Sequence, residues 1–168
     1  MTGRTPVGPP RHGPGVPGRL GGMGQVVATA EHVVHAPADR VRAALGDYAG
    51  ARQRIAGPQF SEYRVEQGGE GAGTRVHWRF AATQKRVRDQ VVSVSELPDG
   101  AGLVESDTAS SMVTTWTLHP AGDTTTVRVR TTWDGASGIG GFFERTFAPK
   151  GLARTYTGML ERLDAELR

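Results

Sequence analysis

Gly138-Ile-Gly-Gly-Phe-Phe-Glu-Arg-Thr-Phe-Ala-Pro-Lys-Gly-Leu-Ala-Arg-Thr-Tyr-Thr-Gly-Met-Leu-Glu-Arg-Leu-Asp-Ala-Glu-Leu-Arg168 closes the chain and dictates its architecture. From Leu152 the apolar positions are Leu152, Tyr156, Met159, Leu160, Leu163 and Leu167, a spacing that draws one stripe along a helix. Arg154, Glu161, Arg162, Asp164 and Glu166 fall on the other side. Phe142, Phe143 and Phe147 form a bulkier apolar patch ahead of the stripe. Pro149 has no backbone N–H, so it either starts a new helix or kinks a continuous one.

This is the only long helix in the pattern. Outward from it, the chain reads as strand. Gln25–His35 is rich in Val and Thr. A short helix follows in Ala36–Leu45, with Pro37 in its first turn, and a second is expected over Tyr48–Ile55, stopped by Gly57-Pro58. Strands then run over Phe60–Glu66, Thr74–Ala82, Lys85–Leu97, Gly102–Asp107, Met112–His119 and Thr125–Trp133, joined by Gly- and Asp-rich turns. Hairpin-length connections mean antiparallel pairing. One amphipathic helix and a set of amphipathic strands must cover each other, an α+β arrangement with the helix across the sheet.

Composition narrows the function classes. The 168 residues suit one domain at 25–168 behind a tail at 1–24. That tail holds five Pro, eight Gly, three Arg and no acid, and cannot repay its ordering entropy; a start at Met23 is the alternative. Without Cys there is no thiolate nucleophile or thiolate metal site. No apolar run is long enough to span a membrane and no signal peptide is read, so a cytoplasmic protein is expected. The +3 net charge comes from the tail, so the domain lacks the basic excess of a nucleic-acid binder. His32 and His35, three apart on a strand, are expected on opposite faces, and no metal or cofactor is expected.

Alternation assigns faces. Val76, Trp78 and Phe80 share one phase against Arg75, His77 and Arg79. Met112, Thr114, Trp116 and Leu118 share another, and so do Val127, Val129, Thr131 and Trp133. All three Trp can face the helix. Lys85–Leu97 is ambiguous: Val87, Asp89 and Val91 take one phase, Val92 and Val94 the other, as a β-bulge would allow. With Val87 and Val91 inward, Asp89 is inward too; Glu105, between Leu103 and Asp107, is a similar candidate. A carboxylate in an apolar hollow has a raised pKa and can move protons. Asp89 and Glu105 are therefore the candidate catalytic residues, with an ordinary ion pair to Arg as the competing reading.

Four motifs resemble the START-like (SRPBCC) superfamily, which includes the polyketide cyclase/dehydrase family and the birch-pollen-allergen-like proteins. His35-Ala-Pro-Ala-Asp-Arg-Val41 is similar to its "Ala-Pro-x-x-x-Val" lead into the first helix. Gly68–Thr74 resembles its glycine-rich loop, Val87–Val94 the strand that follows, and Gly140–Arg145 the start of the last helix. The resemblance runs over 25–168. It implies a helix-grip fold: seven antiparallel strands curled around the long C-terminal helix, with two short helices at one edge.

It also implies a cavity for lipids, sterols or polyketides, and in some members cyclisation or dehydration. Candidate lining positions carried onto this chain are Trp78, Phe80, Asp89, Val91, Met112, Trp116, Phe143, Phe147 and Tyr156; Trp133 joins them by phase. Aromatic polyketide cyclases often have Trp-Pro after the first helix, where this chain has Asp47-Tyr-Ala-Gly-Ala-Arg52. Three readings follow: a carrier of an apolar small molecule, monomeric or homodimeric; a cyclase/dehydratase using Asp89, Glu105 or an Arg; or an interaction protein with a closed cavity, working through Arg75, His77, Arg79, Arg86 and Arg88. A dry pocket of about 300 Å³ would cost roughly 7 kcal/mol, so the hollow is either filled by its own aromatics or kept open for a guest.

Overall fold

The computed structural model describes residues 24–135 and 138–168, without the side chains of Thr83 and residues 138–147. The expectations for the tail, and for the Phe142, Phe143 and Phe147 side chains, lie outside the described residues. The elements in chain order are β1 (Gln25–Val34), α1 (Ala38–Gly46), α2 (Ala51–Ala56), β2 (Phe60–Gln67), β3 (Arg75–Thr83), β4 (Arg86–Glu96), β5 (Gly102–Asp107), β6 (Val113–Ala121), β7 (Thr124–Asp134) and α3 (Gly138–Leu167).

The strands form one antiparallel sheet in the order β1-β7-β6-β5-β4-β3-β2. Consecutive hairpins build β2 to β7, and β1 returns to pair with β7. That places β1 and β2 at opposite edges, with α1 and α2 linking them. The sheet grips α3, as the closing segment requires. Leu152, Tyr156, Met159, Leu160 and Leu163 are buried, each at 8% exposure or less. At about 1.5–3 kcal/mol per buried side chain, this face contributes on the order of 10 kcal/mol. The helix is thus part of the core. It continues through Pro149 without a new start.

Inward phases follow the alternation for β3, β5, β6 and β7: Val76, Trp78, Phe80, Leu103, Glu105, Trp116, Leu118, Val127, Val129 and Trp133 are all buried. β4 differs. Its pairing with β3 is unbroken from Arg75↔Ser93 to Ala81↔Val87, and the irregularity lies beyond, at Ala81/Thr83. Gln90, Val92 and Val94 therefore face in, while Asp89 is exposed and Val91 is half-buried on the convex face. The phase is settled where β4 crosses the core. There Val92 and Val94 must be covered, and Val87, near the hairpin, is left 46% exposed. An inward Asp89 would be a buried charge needing a partner. Facing outward, its Oδ1 lies 3.2 Å from His77 Nε2 and 3.8 Å from Arg79 Nε.

Two α3 polar residues also differ from the helical reading. Asp164 is buried, and accepts the His35 backbone N–H at 2.7 Å and Arg168 Nη2 at 2.5 Å. His32 Nε2 and His35 Nδ1 stand 3.5 and 3.1 Å from the same carboxylate. The two imidazoles converge because β1 ends at Val34, so strand alternation does not apply to His35. Arg162 crosses to α2, where its Nε and Nη2 donate to the carbonyls of Ile55 and Ala56.

Candidate functional site

A cavity of about 30 Å³ lies between α3 and the sheet. Phe60, Trp78, Phe80, Met112, Leu152 and Tyr156 supply most of its apolar wall. Arg52, Gln90, Glu105, Asp107 and Thr114 add polar groups. The volume suits one or two water molecules rather than a drug-sized ligand. Of the two arrangements left open by the sequence, the aromatics fill the hollow.

The rings are locked together. Phe60 meets Trp78 edge-on at 5.5 Å and Phe80 at 5.1 Å, and Tyr63 stacks on Trp78 at 5.7 Å. Trp78 Nε1 donates to Gln90 Oε1 at 2.9 Å. Gln90 Nε2 in turn reaches Met112 Sδ at 3.2 Å. Tyr156 Oη contacts the Thr131 hydroxyl at 2.5 Å and that of Thr114 at 3.2 Å. Burial pushes the Tyr156 phenol up to about 12.

The polar end is built from α2 and β5. Arg52, in the first turn of α2, is only 4% exposed. Its Nη2 donates to Glu105 Oε1 at 2.7 Å. Tyr48 Oη donates to the same oxygen at 2.8 Å. The guanidinium lies 4.4 Å from the Trp116 ring centre, within cation–π range. Burial is the largest influence on Arg52 and opposes its charge, but Glu105, Tyr48 and Tyr63 together outweigh it and hold the guanidinium above its ordinary value. Burial, then Glu105, drives the Tyr48 phenol well above 10. Trp116 Nε1 is buried with no hydrogen-bond partner among the described residues, which leaves one donor unused beside the cation.

Local sequence explains how Tyr48 and Arg52 arrive. Asp47 Oδ2 accepts the Ala51 N–H and fixes the start of α2. The glycine-rich loop folds back on this segment: Gly69 C=O accepts Tyr48 N–H at 2.8 Å, and Gly71 N–H donates to Gly46 C=O at 2.9 Å. Gly68, Gly69, Gly71 and Gly73 all have positive φ, which a side chain would disfavour. This loop is a brace for the Tyr48–Arg52 segment. Tyr63 Oη completes it by donating to Tyr48 C=O.

Among the sequence candidates, Trp78, Phe80, Glu105, Met112 and Tyr156 come together around the cavity. Trp116 stands behind it, edge-on to Tyr156 at 5.6 Å. Trp133 is buried but does not line the space. Asp89 and Val91 are on the convex face, so both are corrected as lining positions. Phe143 and Phe147 fall among the side chains not described. Sequence reasoning missed Arg52, Tyr48, Phe60 and Gln90. Arg52 carried one signal: placing Ile55 and Ala51 inward on a short helix also turns position 52 toward the core. A larger groove of about 900 Å³ lies outside, by α1, α2 and the glycine-rich loop, and is lined by several charged residues including Arg40, Arg42, Glu96 and Glu166.

Among the described residues, no helix is long and apolar enough to cross a membrane, and no group of three or more His, Cys, Asp or Glu could hold a metal ion. Residues 25–168 match the family model described as polyketide cyclase/dehydrase and lipid transport. No curated protein matches the chain. Among solved structures, the KanY protein is 42% identical, with 86% of this chain and 99% of that chain covered at a TM-score of 0.77. The Zhui aromatase/cyclase from Streptomyces sp. R1128 shares the fold at 16% identity, covering 86% and 94%, with a TM-score of 0.67. A START superfamily protein from Mycobacterium smegmatis does so at 13% identity, covering 86% and 97%, with a TM-score of 0.64. The helix-grip architecture and the match over 25–168 together make this chain a member of the polyketide cyclase/dehydrase and lipid-transport family of the START-like superfamily.

Proposed function

We propose that this protein binds an apolar small molecule, lipid or polyketide-like, between α3 and the sheet, with a polar oxygen of the guest directed to the Arg52 end. The buried Arg52–Glu105 pair supports this reading most. A buried ion pair is a poor stabiliser, because apolar residues of the same volume serve a core as well or better. A small domain that keeps one on the wall of its cavity has put a fixed cation where a guest can meet it. Trp116 Nε1 adds an N–H donor beside that cation. Because the cavity is only about 30 Å³, the guest must turn the lining rings aside as it enters.

The catalytic reading has less behind it. Proton transfer asks for a carboxylate that is free to change partners, yet Asp89 is outside and Glu105 Oε1 already accepts from Arg52 and Tyr48. The interaction-surface reading keeps only Arg86 and Arg88 of its stripe: Arg75 and Arg79 are paired with Glu66 and Glu62, and His77 is buried.

The test is native mass spectrometry of protein purified from its own host, next to a Met112→Trp variant that fills the cavity. Wild type is expected to carry a small-molecule adduct that the variant lacks. A wild-type protein with no adduct, and no uptake of the neutral probe N-phenyl-1-naphthylamine, would refute the proposal.

A further inference from the structure

The face of β4 that lines the cavity continues beyond it. In the concave phase the residues run Val94, Val92, Gln90, Arg88 and Arg86. Val92 and Gln90 line the cavity, as does Phe80, the register partner of Arg88. Paired residues in an antiparallel ladder project from the same face, so Arg88 leaves the sheet beside Phe80. β5 stops at Asp107 opposite Val92, so Arg86–Val91 runs on past its neighbour. The strand therefore changes, in about four residues' length, from aliphatic wall to amide to exposed cation.

These cations differ from three on the convex face, though Arg130 there is exposed and unpaired among the described residues as well. Arg75, Arg79 and Arg128 are each paired with a carboxylate: Glu66, Glu62 and Glu31. Arg86 and Arg88 are exposed and have no ion-pair partner among the described residues. The nearest acid in sequence, Asp89, is on the convex face with His77 and Arg79. Positive charge at the end of an apolar wall, unpaired among the described residues, fits an anion whose body lies along that wall.

We propose that the site selects anionic amphiphiles: small molecules with an apolar body and one carboxylate, sulfate or sulfonate, the acid held by Arg88 and Arg86 while the body enters past Phe80 and Gln90. This rests on the binding function proposed above and names its ligand class.

Two probes that share a ring system separate the claims. N-phenyl-1-naphthylamine is neutral; 1-anilinonaphthalene-8-sulfonate is the same skeleton with a sulfonate. Both are titrated by fluorescence into the full chain, into Arg86→Gln/Arg88→Gln, into Arg86→Lys/Arg88→Lys, and into Arg130→Gln, which removes an exposed charge from the convex face. Circular dichroism confirms that each variant is folded. Two exposed charge contacts predict that the Gln pair weakens the sulfonate roughly fivefold. The neutral probe should change less than about twofold, and raised salt should reproduce this selectivity. The Lys pair should retain sulfonate binding, and each probe should displace the other from wild type.

A neutral probe that fails to bind a wild type free of any adduct would overturn the binding function itself. If the neutral probe binds, the anion inference falls when the Gln pair leaves the sulfonate unchanged, when both probes weaken equally, or when Arg130→Gln costs as much.

Discussion

Arg52 Nη2 and Glu105 Oε1 stand 2.7 Å apart with 4% and 6% of their side chains exposed, and the Trp116 ring lies against the guanidinium. The pair joins α2 to the middle of the sheet at the wall of the cavity. Arg52→Met alone leaves a buried carboxylate with only Tyr48 donating to it, and should cost about 3–5 kcal/mol in urea unfolding. Glu105→Leu alone strands the cation and should cost as much. The double variant removes both charges and should recover most of the loss, with about 1–2 kcal/mol remaining for the Tyr48 hydroxyl left without an acceptor. Additive losses would show that the two side chains act independently.

The three tyrosines of the chain all sit in this region, and burial raises all three phenols. Tyr156 is pushed up to about 12, and Tyr48 and Tyr63 are also raised. A folded-state value above the unfolded one gives stability that is complete below pH 10 and is lost as pH rises toward the folded values. Absorbance at 295 nm should therefore stay flat through pH 10 in the native protein, then rise together with loss of the far-ultraviolet helix signal. In denaturant it should titrate near 10. A native titration centred at 10 would contradict the burial of all three.

Much of the fold was legible because most strands have one clear apolar phase, and because the Leu152–Leu163 stripe demands a sheet to cover it. β4 was not, since two valines argue for each phase. The choice depends on where the strand leaves the core, a property of the neighbouring β5 rather than of β4. The site was half legible for the same reason. Trp78, Phe80 and Glu105 sit on strands and follow alternation, whereas Arg52 arrives through a one-and-a-half-turn helix whose orientation is fixed by Arg162 from α3 and by the glycine loop. His35 shows the limit of periodicity, because its ring is placed by a carboxylate 129 residues away.

Gly102 opens the β5–β6 ladder, opposite Thr117. A Cβ built there would stand 1.8 Å from the Trp116 carbonyl oxygen, a backbone atom that can move only if the ladder does. Gly102→Ala should cost about 1–3 kcal/mol by overpacking. The shift should reach the Trp116 ring and, through it, Arg52, so near-ultraviolet circular dichroism should change along with the melting temperature. A variant with wild-type stability would mean that the β5–β6 ladder yields without cost.

Asp164 ties the end of α3 to the end of β1. The Arg168 hydrogen bond, working against burial, and the His35 backbone N–H hold its carboxyl well below the usual range. A depressed folded value gives stability that is present above the unfolded value near 4 and is lost as pH falls below it. Asp164→Asn keeps the shape and removes the charge. It should lower the melting temperature at pH 7, where the carboxylate is ionised in both states, and it should flatten the decline in wild-type stability between pH 5 and 3. The two curves should approach each other toward pH 3, because the unfolded wild type takes up a proton there that the native Asp164 carboxylate still refuses, a difference the variant lacks. Parallel curves across that range would mean that Arg168 and the two histidines hold the helix end by contacts that do not depend on the carboxylate's charge.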